Sequence, residues 1–250
     1  MRVDQADGGD EPTRSTDTPG TRESPAAVAG PEEDTGKAVG SVRVSGALGY
    51  RAGVEAANRQ YAIDQGYERI REIEEKTLTP AMRRIEAEDP ERHLAGLKNR
   101  LKGKDRLTEK VLKTVNERGH TVHEAIGMVK DAIRYTFCYP EDRYTEGVYA
   151  DCQRLDQWGF ERVDRVSSWP AKEYKGINTR WRVPGSGQLF EIQFHTVASL
   201  EAKEVTHPAY EKLRVGLPSP AEQRELEDFQ KRITAQVPIP PGATEVLDYR

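Results

Sequence analysis

The chain has 250 residues, 36 % hydrophobic and 32 % charged, a length and balance that suit one well-buried domain with appendages and exclude two large enzymatic domains. No run approaches the roughly 20 apolar residues a bilayer crossing needs, and the amino terminus MRVDQADGGDEPTR has no apolar stretch behind its charge, so no membrane partner and no conventional secretory signal is expected and cytoplasmic residence is the default. Cys138 and Cys152 are the only cysteines, too few for a disulfide framework or a zinc site, and they read as reduced structural thiols.

In chain order, residues 1–42 hold nine acidic and four basic side chains among Gly, Pro, Ser and Thr, the composition of a disordered acidic tail. Its net charge of −5, set against −4 for the whole chain, leaves the remainder at +1. A helical arm is expected over 43–93, where Ala62, Ile63, Ile70, Ile73 and Leu78 recur at mostly helical spacing. The helical pattern continues through Leu94 and Leu97 into a basic segment, and after Gly119 the Thr121–Lys130 run reads as one more short helix.

The period then changes. AIRYTFCY (132–139) is rich in β-branched and aromatic residues, a helix is expected around Val148–Trp158, and Gly159 stops it before the strand-like FERVDRVSSW. TRWRVP and LFEIQFHT alternate with period two and flank Gly185-Ser186-Gly187, which reads as a β-hairpin. Helices resume from about Leu200 to Leu213 and from Pro220 to Gln236. Together these elements give an α+β fold, a mixed β-sheet flanked by helices.

Alternation in the hairpin separates two faces. Phe190, Ile192, Phe194, Trp181 and Val183 share one side; Glu191, Gln193, His195, Asn178, Arg180 and Arg182 share the other. A solvated polar sheet face is the bland reading of such a pattern. Asp131, at the start of the AIRYTF strand, raises a functional one, because a hard divalent ion with phosphate ligands needs only one or two protein carboxylates and Asp131 with Glu191 would hold Mg²⁺. Residues 98–118 carry eight basic and three acidic side chains. That is either a solvated helix face or a triphosphate site drawing on Arg100, Lys102, Lys104, Arg106 and Lys110, with Lys98 and Lys113 flanking them. In EYKGIN, Tyr174 is either a half-buried anchor or a stacking platform for a nucleobase.

These residues, in this order, resemble the synthetase domain of the RelA/SpoT family over roughly 94–214. Arg100, Lys102 and Lys110 match the family's spacing for ATP phosphates, with Leu107 at its aliphatic position. Asp131-Ala132-Ile133-Arg134 resembles the metal-binding strand, with the Asp three residues before the Arg where five is common. Tyr174 and Lys175 fit the acceptor loop, with Asn178 in place of a His. Glu191-Ile192-Gln193-Phe194-His195-Thr196 matches the family's Glu-x-Gln strand in full, and Lys203, His207 and Tyr210 echo its following helix. Gly103 stands where Ser or Thr is usual.

The resemblance implies a nucleotidyltransferase-like fold and transfer of the βγ-pyrophosphate of ATP to the 3′ hydroxyl of a purine nucleotide. The acceptor would be GDP, GTP or an adenine nucleotide, with the 3′ end of tRNA as the alternative and a non-catalytic nucleotide-binding module as the second. In this reading Glu191 and Asp131 are catalytic and hold the metal, and Arg100, Lys102 and Lys110 bind ATP. The acceptor is held by Tyr174, Lys175, Arg134, Asn178, Gln193 and His195. The variant strands look like those of small synthetases found as toxins, which adds a delivered toxin, an antitoxin partner and a homo-oligomer to the expectations, with a C-terminal helix and tail over 215–250. No room is expected for the family's hydrolase domain, and His120 and His123 read as surface histidines.

Overall fold

The computed structural model describes residues 40–246, with side chains from Tyr50 onward. The chain divides into two units, 1–47 and 48–250. Of the first, only the helical backbone from Gly40 is described, and the acidic tail expected over 1–42 otherwise lies outside the described residues. The second holds the sheet and its flanking helices.

The arm is a long helix, α1 (Gly40–Ile73), that passes through a π-turn (Glu74–Leu78) into α2 (Thr79–Ala87). A π-turn inserts one residue per turn and swings the side chains beyond it. Here it buries Glu74, which is 2 % exposed, together with Leu78. Pro80 sits in the first turn of α2, immediately after the π-turn, and having no N–H it donates no hydrogen bond back into that turn.

The helix expected through Leu94 and Leu97 is corrected by the structure. His93–Ala95 forms a short edge strand, β1, and Leu97–Asn99 a single 3₁₀ turn. Leu94 N–H donates to the Glu86 carboxylate at 2.6 Å, and Gly96 adopts a left-handed φ of 60° that ends any regular run. The basic segment becomes α3 (Lys104–Arg118), closed by Gly119 in the left-handed region, and α4 (Val122–Gly127) starts from a Thr121–Glu124 capping box.

Strand β2 (Arg134–Tyr139), helix α5 (Tyr144–Gln157), β3 (Glu161–Ser167), β4 (Ile177–Arg182) and β5 (Leu189–Thr196) complete a five-stranded sheet of order β1-β2-β5-β4-β3. Only β2 and β5 pair in parallel. β4 and β5 form the expected hairpin, with Arg180 opposite Glu191 and Asn178 opposite Gln193. Gly185 and Gly187 supply positive φ in its turn. One face carries the core: Tyr135, Phe137, Trp181, Phe190, Ile192 and Phe194 are all fully buried, with Phe137 and Phe194 stacked at 6.2 Å and Tyr144 of α5 hydrogen-bonded to the Phe194 carbonyl.

The other face stays polar and is crossed by α6 (Val197–Val215), which a Thr196–Ser199 capping box starts directly at the end of β5. Helix α7 (Pro220–Thr234) packs beside α6, and Val237, Ala243 and Val246 return to the core. The fold is therefore α+β, a mixed sheet flanked by helices. Among the described residues no helix is long and apolar enough to cross a membrane.

Candidate active site

Register fixes the centre of the polar face. On β2, β5 and β4, Arg134, Glu191 and Arg180 form one row across the sheet, and Thr136, Gln193 and Asn178 form the next. Period-two geometry places these side chains on the same side. Glu191 accepts from Gln193 Nε2 at 2.8 Å, and Gln193 Oε1 accepts in turn from Lys203 Nζ of α6 at 2.7 Å. This chain fixes the orientation of the Glu191 carboxylate.

Burial pushes the Glu191 carboxyl above the usual carboxylate range; Arg134 opposes that shift and Asp131 adds to it. Arg134 Nη1 lies 3.9 Å from Glu191 Oε1. Lys203 is held down to about 8, by burial first and then by Arg134.

Asp131 lies in a turn before β2, separated from the strand by Ala132 and Ile133. The expectation that it begins the strand is therefore corrected, and a turn carries no period-two alternation to set its side chain. The carboxylate is set instead by two lysines: Lys102 Nζ stands 2.9 Å from Oδ2 and Lys110 Nζ 2.8 Å from Oδ1. Burial works to raise this carboxyl, but the two ammoniums win and bring it to about 2.

Two cavities meet here. The larger, about 730 Å³, lies between α3 and α6 and is rimmed by Lys102, Arg106, Lys110, Lys113 and Arg214. The smaller, about 430 Å³, is walled by Tyr174, Asn178, Glu191, Gln193 and Lys203, with Gln230 of α7 behind them. Asp131, Arg134, His207 and Tyr210 line both. One cavity is thus cationic and sized for a polyphosphate; the other offers an aromatic ring, amides and a raised carboxyl.

Comparison with protein-family models gives no match, and no curated protein matches in sequence. Solved structures do. A Streptococcus mutans UA159 protein is similar at 18 % identity over 68 % of this chain and 88 % of its own, with a TM-score of 0.48. The small alarmone synthetase 1 of Bacillus subtilis bound to pppGpp is similar at 18 % identity over 73 % of this chain and 90 % of its own, TM-score 0.45. The Type VI effector Tas1, solved with its immunity protein, is similar at 15 % identity over 75 % and 96 %, TM-score 0.44.

Of the candidate residues, the structure brings Lys102, Lys110, Asp131, Arg134, Glu191, Gln193, Tyr174 and Asn178 to these two cavities. Three others stand apart. Arg100 turns to the arm, where Nε donates to Glu74 Oε1 at 2.6 Å; Tyr135 OH reaches the same oxygen at 3.2 Å. Lys175 donates to the Trp169 and Ala171 carbonyls, both at 2.6 Å, and so braces its own loop.

His195 is fully buried beneath Tyr174. Tyr174 OH stands 2.9 Å from its Nε2 and donates to Asn178 Oδ1 at 3.0 Å, while Ser199 Oγ lies 2.9 Å from its Nδ1. Gly176, at φ 152°, passes so close that a Cβ there would meet the imidazole at 3.0 Å. Burial lowers His195 to about 3, with a contribution from Lys203, and the ring is neutral near pH 7. It therefore anchors Tyr174 as an uncharged hydrogen-bond partner. Ser199, Glu173 and Gln230 are the additions that sequence alone did not single out.

Proposed function

We propose that this protein transfers the βγ-pyrophosphate of ATP to the 3′ hydroxyl of a purine nucleotide. The observation that carries the reading is the shared wall: Asp131 and Arg134 stand between a cationic cavity and one built around Tyr174 and Glu191. A donor triphosphate in the larger cavity meets Lys102, Lys110, Arg106 and Lys113. An acceptor base stacked on Tyr174 in the smaller cavity sets its ribose towards Glu191. Both substrates are then held in one orientation, which is most of what phosphoryl-type transfer asks of a protein.

The acceptor O3′ attacks the β-phosphorus, the bond from that phosphorus to the α–β bridging oxygen breaks, and AMP leaves. Glu191 takes the proton from O3′. Its burial makes it a stronger base than a solvated carboxylate, and Gln193 and Lys203 hold it in place. Arg134, beside Glu191, and the lysines of α3 meet charge on the transferred group.

The fit of a metal rests on the two carboxylates. Both line the smaller cavity, and Asp131 raises Glu191 through like-charge repulsion, which a cation between them would relieve. Among the described residues no group of three or more His, Cys, Asp or Glu could hold a metal, so an ion held by these two carboxylates would need further ligands, which substrate oxygens would supply. Asp131 and Glu191 would hold Mg²⁺, which would neutralise phosphate charge.

The test is to incubate the protein with Mg²⁺ and γ-³²P-ATP, offering GDP, GTP, AMP, ADP, ATP or bulk tRNA. Label on a nucleotide 3′ position with equimolar AMP is expected. Label on tRNA alone would replace the nucleotide acceptor, and no transfer by protein that still binds ATP would leave a nucleotide-binding module.

A further inference from the structure

The helical arm grips the segment that feeds the larger cavity. Arg100, Lys102 and Lys104 alternate along that segment, and the outer two are each taken by an arm carboxylate: Arg100 Nε donates to Glu74 Oε1 at 2.6 Å, and Lys104 Nζ lies 2.9 Å from Asp64 Oδ1. Of the three, Lys102 alone turns to Asp131 and lines the cavity.

The two grips differ in kind. The Asp64–Lys104 pair stands in water, where such a contact holds little. Glu74 is buried in the π-turn, and its Oε1 also accepts from Tyr135 OH at 3.2 Å and from the Thr79 hydroxyl. A carboxylate withdrawn from water and met by several donors fixes its partners closely, and π-turns within helices collect at functional sites. The backbone beside Arg100 then leads into the site. The Arg100 carbonyl accepts from the Arg134 N–H at 2.7 Å, Leu101 bridges Ile133, and the Lys102 N–H donates to the Ala132 carbonyl at 2.9 Å. A shift of Arg100 is therefore a shift of Lys102 and Arg134, with Asp131 beside Ala132.

We propose that Glu74 is a positioning residue of the donor cavity, acting through Arg100 to set Lys102 and Arg134 against the triphosphate, so that the arm is part of the donor site. The inference rests on reading the larger cavity as that site. Arg100 serves as a strut here and lines neither cavity. Phosphate-binding groups lose much of their effect when displaced by a fraction of an ångström, so the residues that brace them share in binding.

The experiment is calorimetric titration of α,β-methylene ATP with Mg²⁺, and separately of GDP, into the full chain and four variants: Glu74→Gln, Glu74→Gln combined with Arg100→Met, Asp64→Asn and Lys102→Ala, each with a thermal melt. Glutamine keeps the shape of Glu74 and an acceptor for Thr79 and Tyr135, and removes the charge that fixes Arg100. Glu74→Gln is expected to lose about tenfold for the ATP analogue and less than about twofold for GDP. Adding Arg100→Met should change neither further, because the strut has already lost its hold, and Asp64→Asn should stay within about twofold for both. If Glu74→Gln alone melts too low to titrate, the double variant, which leaves no lone charge, is expected to show the same tenfold loss.

An analogue affinity that Glu74→Gln leaves unmoved or raises would overturn the proposal. So would equal losses for both nucleotides, an equal loss in Asp64→Asn, or a further tenfold loss on adding Arg100→Met, which would make Arg100 a ligand in its own right. Lys102→Ala separates the two readings. If it weakens the analogue and Glu74→Gln does not, this inference alone fails; if it leaves the analogue untouched, the donor cavity is misplaced and both fail.

Discussion

Around Asp131 the structure uses charge, and around Tyr174 it uses uncharged hydrogen bonds. The cations facing the larger cavity come from the loop before α3, from α3 itself, and from Arg134 of β2 and Arg214 of α6; the Lys110 side chain is 45 % exposed and that of Lys102 17 %. Ion pairs so close to water are adjustable and salt-sensitive, which suits a ligand with several similar oxygens. On the other side, half-buried Tyr174 and Asn178 and fully buried His195 and Ser199 form a chain of neutral partners. Such a chain fixes one ring in one place. Glu191 sits where the two regimes touch, desolvated like the second and bordered by Arg134 and Asp131 of the first.

The largest break in this contrast is expected from Glu191→Gln, which keeps the shape of the boundary residue and removes its charge. Turnover should fall by about 10³-fold or more while ATP binding stays within a few-fold, as expected when a group acts in the transition state more than in the ground state. Retention of most activity would take Glu191 out of the mechanism.

Next in size is the cationic side. Lys102→Ala should cost on the order of 10²-fold in kcat/KM for ATP and Lys110→Ala about tenfold, because Lys102 is the more buried of the two partners of Asp131. Wild-type affinity for ATP should also weaken as salt rises. Equal effects of the two substitutions and salt-independent binding would mean that the larger cavity is not the triphosphate site.

The neutral side should respond differently. Ser199→Ala removes the partner of His195 Nδ1, so the ring that anchors Tyr174 loses its fixed orientation while Tyr174 keeps its stacking surface. A rise of about tenfold in the acceptor KM with little change in the KM for ATP is expected. An equal rise in both would point to general loosening of α6.

The smallest effect is the shape of the pH profile. In the proposed reaction Glu191 acts ionised and Lys203 protonated, so activity should rise with pH through the raised pKa of Glu191, above the usual carboxylate range, and fall above about 8. Lys203→Met should remove the alkaline limb. Asp131, at about 2, stays ionised throughout and contributes no limb.

The hairpin and its faces were legible in the sequence because alternation is a local signal: Glu191, Gln193 and Asn178 lie where period two puts them. The loop position of Tyr174 came from the same frame. What stayed hidden depended on distant contacts. Three residues of β1 are too few to show a period, and they pair only because β2 is there to receive them. Nothing around Arg100 announces Glu74, which is 26 residues earlier and is aimed inwards by a π-turn. The polar face carrying His195 was evident, but its burial was not, since that depends on α6 folding back from Thr196. Gln230 looks from sequence like any polar residue of an amphipathic helix. Only the packing of α7 beside α6 brings it to a cavity.

The central claim is that two nucleotides occupy the two cavities at once, on either side of Asp131 and Arg134. It is tested most directly by titrating the protein calorimetrically with α,β-methylene ATP and Mg²⁺, alone and in saturating GDP. One analogue per chain in both titrations, with its affinity undiminished by GDP, is the predicted result. Displacement of one nucleotide by the other at a single shared site would contradict it.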